Sequence, residues 1–286
     1  MFADIGPFGD SALPPKLSSR EVVVWYSDIR GFTRYCNALK ARSQDRLIEN
    51  LLASYLKIYV TAYRLTLDDF TETHLRADLA RAKTLRMPSA TAEARTRYLR
   101  TQAQLKEVRH IATPVYYKNL GDGLLVVWEL DGASTMAVKS LATDWIQSII
   151  LETHALFLYR FSHLTPVERD SYADEATSLK LGSGVARGTV LRLDFPGQTM
   201  HDYAGSIMNL GARLCNLARP EGIVAELGTT RATYYRLFKG GRGEIIELRG
   251  LKGIEKETIT VWTFRVNKIP GKVIKKKWST KDIPAD

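Results

Sequence analysis

The chain has 286 residues, 45% of them hydrophobic and 25% charged, enough to bury a sizeable core without disulfides. Its two cysteines, Cys36 and Cys215, are far apart and lack metal-ligand spacing, which argues against a disulfide scaffold or a zinc site and predicts small buried or half-buried thiols in a reducing cytoplasm. The net charge of +10, part of it in six lysines between Lys268 and Lys281, comes with no motif that reads nucleic acid, so a nucleic-acid partner is not expected.

Residues 1–20, rich in Gly, Pro and Ser, read as an irregular arm without the basic and apolar regions of a signal peptide. Glu21 to Tyr26 is a short β-branched and aromatic run, a buried strand that stops at Ser27-Asp28-Ile29-Arg30-Gly31. Helical spacing follows over residues 34–65, with Leu47, Ile48, Leu51, Leu52, Tyr55, Leu56 and Tyr59 on one face. From about 65 to 110 the chain turns Ala-, Arg-, Glu- and Thr-rich, which predicts one or two exposed charged helices, an insertion or a dimer arm. Val115 to Lys118 and Leu124 to Trp128 form a predicted hairpin around Asp122-Gly123. A helix over Ala133 to Tyr159 comes next, then a second strand pair, Leu179 to Val185 and Gly188 to Leu193, around a Gly turn. Ser206 to Leu217 reads as a helix with Leu210, Leu214 and Leu217 inward, and strands at Ile223–Ala225, Glu244–Leu248 and Thr258–Val266 close the chain. This order is an α+β architecture on a β-α-β-β-α-β core with an extension, not a doubly wound sheet. The main domain then spans about residues 21–266, followed by a basic tail, 267–286. No run is long and apolar enough to span a bilayer, so a cytoplasmic protein without membrane contact is expected.

Two carboxylates stand at strand ends. Asp28 follows an apolar strand and precedes a Gly turn into a helix; Asp122 sits at a turn between two strands. If those strands are neighbours, the two acids can converge on hard divalent cations. Taken singly, Asp28 also reads as a helix cap and Asp122 as a turn former.

The segments that hold these acids resemble a known family when taken together. Ser27-Asp28-Ile29-Arg30-Gly31-Phe32-Thr33 is similar to the first metal-site signature of class III adenylate and guanylate cyclases. Lys118-Asn119-Leu120-Gly121-Asp122-Gly123 resembles the second, and the stretch Asp202 to Leu214 the segment that binds base and transition state. Gly250-Leu251-Lys252-Gly253 resembles the segment that supplies a phosphate-binding lysine. The four occur in family order.

The resemblance implies a ferredoxin-like cyclase core and a lyase that closes a nucleoside triphosphate to a 3′,5′-cyclic monophosphate, releasing pyrophosphate. It implies two divalent ions per site, Mn2+ or Mg2+, on Asp28, Asp122 and the carbonyl of Ile29. Backbone N–H groups of Gly31, Phe32 and Thr33, with Lys252, would hold phosphates. Asn209 and Arg213 would act in catalysis, orienting the ribose and stabilising the transition state. Lys118 and Asp202 would select the base. These groups come from opposite protomers in the family, so a homodimer with composite sites is implied.

The Lys118/Asp202 pair is the one that reads adenine in adenylate cyclases. The long insertion, Met208 before Asn209 and the lack of room for a fused sensor depart from the usual pattern. As a free-standing chain of this size it resembles the pyrimidine cyclases of Pycsar antiphage operons, which make cyclic UMP or CMP for a separate cyclic-nucleotide-sensing effector. The expectation is a UTP or CTP cyclase, with an adenylate cyclase as the alternative. A degenerate nucleotide-binding module is the alternative from another class, disfavoured because Asp28, Asp122, Asn209 and Arg213 are all present.

Overall fold

The computed structural model describes residues 15–41, 45–84, 88–162, 179–195, 201–226, 244–249, 258–264 and 273–274. The elements run β1 (Lys16–Arg30), α1 (Phe32–Ala41), α2 (Asp45–Thr84), α3 (Pro88–Ile111), β2 (Tyr116–Asn119), β3 (Gly123–Glu129) and α4 (Met136–Ser162). They continue with β4 (Lys180–Asp194), β5 (His201–Ala204), α5 (Ser206–Leu217), β6 (Gly222–Glu226), β7 (Glu244–Arg249), β8 (Thr258–Phe264) and β9 (Val273–Ile274).

One sheet orders these strands β2-β3-β1-β4-β6-β8-β7-β9, with β5 paired to β4. Every pairing is antiparallel except β4 with β6. The first four strands and their crossovers reproduce the expected β-α-β-β-α-β order, with β1 at the centre.

The apolar run Val22 to Trp25 is buried on both sheet faces, which is why it lacks polar alternation. Val23 and Trp25 meet α2 and α4 in the larger core, where Trp25 and Trp128 stack at 6.4 Å. Their indole N–H groups donate to Ser183 Oγ at 2.9 Å and to the Ala112 carbonyl at 3.0 Å, so neither donor is buried unpaired. Val22 and Val24 face the other way, toward Met208 of α5.

α5 carries its apolar stripe, Met208, Leu210, Gly211, Leu214 and Cys215, onto β1 and β4 at very close range. A methyl group at Gly184 would lie 2.1 Å from the backbone nitrogen of Cys215, and one at Gly211 2.9 Å from the Tyr26 ring. Gly184→Ala should therefore lower the unfolding free energy by about 3 kcal/mol, read as a lower midpoint in urea unfolding.

The structure departs from the sequence-based expectation in three places. β1 begins at Lys16, inside the expected irregular arm, because all fifteen of its residues pair with β4. The predicted strand pair at 179–193 is a single strand, β4: Gly188 does not turn the chain but pairs with Val22, leaving room for the Ile207 side chain, 2.5 Å from where a Cβ would stand. No boundary falls at residue 65, since α2 runs on to Thr84 before α3 returns beside it. Among the described residues no helix is long and apolar enough to cross a membrane.

Candidate active site

The β1–β3 ladder brings the two acids together. Asp28 pairs with Gly123, the residue after Asp122, and Ile29 N–H donates to the Asp122 carbonyl at 2.9 Å. Closeness here depends on Gly123, where a Cβ would lie 2.3 Å from the Ser27 carbonyl oxygen. Gly121 takes φ 87°, a left-handed conformation that suits glycine in the turn before Asp122. Behind Asp28, Ser27 Oγ and the buried Tyr55 hydroxyl share a hydrogen bond that ties β1 to α2. After Asp28 the chain turns through Gly31, φ 86°, and α1 starts at Phe32, so the N–H groups of Gly31, Phe32 and Thr33 lie at a helix N-terminus that favours anions.

The side chains of Asp28 and Asp122 are within hydrogen-bonding reach of each other. Burial foremost, then the Asp122 charge, raises the Asp28 pKa above the usual carboxylate range, although Arg30 and Arg219 pull the other way. Two hard oxygen acids forced together, one of them resisting ionisation, fit a divalent cation of the Mg2+ or Mn2+ type. Among the described residues no cluster of three or more His, Cys, Asp or Glu accompanies them, so further ligands would be carbonyl, phosphate or water oxygens. Ile29 itself is a core residue, 1% exposed, so that only its backbone is available.

Asn209 and Arg213 share one side of α5, four residues apart, Asn209 exposed and Arg213 half-buried. The opposite side of that helix packs on the sheet, so both point away from β1 of their own chain. Lys118 is exposed on β2 and Asp202 exposed on β5. Tyr116, two residues before Lys118 on the same strand face, donates its hydroxyl proton to the Asp202 carboxylate. Tyr116 also meets the Tyr203 ring edge-on at 5.6 Å. Burial and then the charges of Tyr116 and Asp202 raise the Tyr26 phenol, which places Tyr26 beside this cluster. Lys252 and its flanking glycines lie outside the described residues.

Sequence reasoning missed Tyr26, Tyr116 and Arg30. Arg30 forms an ion pair with Asp28 and donates from its other terminal nitrogen to the Cys215 carbonyl. Both cysteines are free thiols, Cys36 half-buried and Cys215 buried. Burial first of all pushes Cys215 up to about 12.

No family model and no curated protein sequence matches this chain. Among solved structures, it is similar to the adenylyl cyclase CyaB from P. aeruginosa, with 16% identity and a TM-score of 0.48 over 90% of this chain and 100% of that one. It is also similar to the guanylyl cyclase Cya2, at 14% identity and a TM-score of 0.42 over 91% and 98%. A third similar structure comes from a study of adenylate cyclases from Trypanosoma brucei in their monomeric state, at 14% identity and a TM-score of 0.41 over 88% and 89%.

Proposed function

We propose that the protein is a class III nucleotide cyclase, active as a homodimer, that converts a pyrimidine nucleoside triphosphate to its 3′,5′-cyclic monophosphate. The observation that carries the reading is the convergence of Asp28 and Asp122 across the β1–β3 ladder, beside the Gly31 turn into α1. Divalent ions bound by these acids would supply Lewis-acid activation of the ribose 3′ oxygen and neutralise the departing pyrophosphate.

The chain's own residues do the rest. N–H groups of Gly31, Phe32 and Thr33, with Lys252, bind phosphate oxygens. Asn209 orients the ribose, and Arg213 meets the charge that develops on the transferring phosphoryl group. Because Asn209 and Arg213 face away from Asp28 of the same chain, they serve a site whose acids come from a second copy. That arrangement is a two-fold dimer with two composite sites.

Base choice falls to Lys118, Asp202 and the rings around them. The Tyr116 hydroxyl and the Tyr203 N–H both donate to the Asp202 carboxylate, leaving it fewer acceptor sites for an exocyclic amine, which adenine and cytosine carry and uracil does not. The Tyr116 ring also narrows the space on that strand face, which supports a smaller base. A cyclic pyrimidine nucleotide made here would act as a signal for a separate sensing effector, in keeping with the resemblance to antiphage cyclases.

The test is turnover of ATP, GTP, CTP and UTP, each alone with Mn2+, with products resolved by mass. Cyclic UMP or cyclic CMP is expected. Cyclic AMP as the main product would overturn the pyrimidine assignment, and no cyclic product from any substrate would overturn the cyclase. Tyr116→Phe frees an acceptor site on Asp202 and should raise ATP turnover relative to UTP by about tenfold, the worth of one committed hydrogen bond.

A further inference from the structure

Arg30 has no part in the roles assigned so far, yet its guanidinium lies at the junction of two functional elements. One terminal nitrogen pairs with Oδ2 of Asp28, and the other donates to the carbonyl of Cys215 in the last turn of α5. The space for it comes from a missing side chain: a Cβ at Gly182 would lie 2.7 Å from Arg30 Nε and 2.8 Å from the Ala218 carbonyl. Only 13% of the Arg30 side chain is exposed, so these contacts are made largely out of water. The Cys215 carbonyl also accepts the Ala218 N–H at 3.2 Å, and as part of the last turn it carries the helix's negative dipole end, which favours a guanidinium there. Arg30 Nε, also buried, has no hydrogen-bond partner among the described residues.

We propose that Arg30 is a positioning residue with two jobs: it is the resident counter-ion that must release Asp28 before a divalent metal can take both carboxylate oxygens, and it anchors the C-terminal end of α5. This rests on the reading of Asp28 as a metal ligand. The two jobs follow from the two hands of one group. While paired, the guanidinium offsets the repulsion between Asp28 and Asp122 and opposes the entry of a second cation beside it. Its grip on Cys215 fixes the helix whose outer side carries Asn209 and Arg213, the groups offered to the other copy's acids. The metal end of one composite site is thereby tied to the phosphoryl-facing end of the other through a single side chain.

The experiment measures Mn2+ binding by electron paramagnetic resonance without nucleotide, beside steady-state turnover, for the full chain and for Arg30→Gln, Arg30→Lys and Asp28→Asn. Arg30→Gln removes the competing charge and should tighten Mn2+ binding about fivefold, the scale of a partly buried charge interaction, while kcat falls. Arg30→Lys keeps the charge but loses the forked reach, so Mn2+ affinity should stay near that of the parent while kcat still falls. Unchanged or weaker Mn2+ binding in Arg30→Gln overturns the counter-ion role, and so does tightening of equal size in Arg30→Lys. Full kcat in folded Arg30→Lys overturns the anchoring role. Asp28→Asn should abolish Mn2+ binding; binding retained there overturns the metal reading itself, separately from the role of Arg30. Should Arg30→Gln not fold, Arg30→Lys decides on its own, since a lysine that tightens Mn2+ binding or keeps full kcat defeats the proposal.

Discussion

Asp28→Asn is expected to lower turnover by at least about a thousandfold and, with metal chelated, to raise Tm rather than lower it. Both effects have one origin. The pKa of Asp28 is raised by burial and by Asp122, against the pull of Arg30 and Arg219, so the folded protein resists the charge that metal binding requires. An acid whose folded pKa exceeds its unfolded value destabilises the fold when ionised. The penalty is absent below the unfolded pKa, grows as pH rises, and is complete above the folded pKa. Parent and variant should thus unfold together near about pH 3, while at neutral pH the variant should be the more stable. Differential scanning calorimetry at the two pH values, with a chelator present, measures this directly. Asp122→Ala should silence turnover equally, with the sheet intact by circular dichroism. Substantial activity in either variant would remove the metal assignment.

Mixing two inactive proteins should restore activity. Asp28→Ala damages the acid half of a composite site, and Arg213→Ala the half that α5 contributes. In a mixed dimer one site collects both defects and the other none. Random exchange of equal amounts makes half the dimers mixed, each with one intact site of two, so turnover should recover to about a quarter of the parent's. The measurement is activity after subunit exchange, with exchange followed by fluorescence energy transfer between labelled chains. Demonstrated exchange with no recovery would mean that each chain completes its own site, which the outward face of Asn209 and Arg213 makes hard to arrange.

The parts of the fold set by local pattern were legible in advance. The Ser206–Leu217 helix has the bounds that its apolar spacing predicts, and the hairpin around Asp122-Gly123 forms where its turn chemistry places it. What stayed hidden depends on residues distant in sequence. Gly188 looks like a turn in isolation; only α5, arriving from eighteen residues later with Ile207, shows why a strand needs a glycine there. The strand content of Lys16 to Arg20 is likewise supplied by its partner, since that stretch has no apolar alternation of its own. The site divides in the same way. Asp28 and Asp122 are recognisable from local motifs, whereas the contacts of Tyr116 and Arg30 exist only because β5, Gly182 and Cys215 are brought to them by folding.

The bare contact of α5 on β4 limits how an assembly of two such chains can move. At Gly184 and Gly211 the helix meets the sheet without a side chain of its own or of the strand to spare, so rolling or sliding there would bring backbone against backbone. Helix and sheet then move as one unit, and in the proposed dimer opening or closing of a shared cleft would be a change in the angle between two such units. In the proposed dimer a regulator would act by turning one body against the other. Distances measured between probes on α5 and β1 of one chain should stay constant through a catalytic cycle, while the same pair measured across the two chains should change.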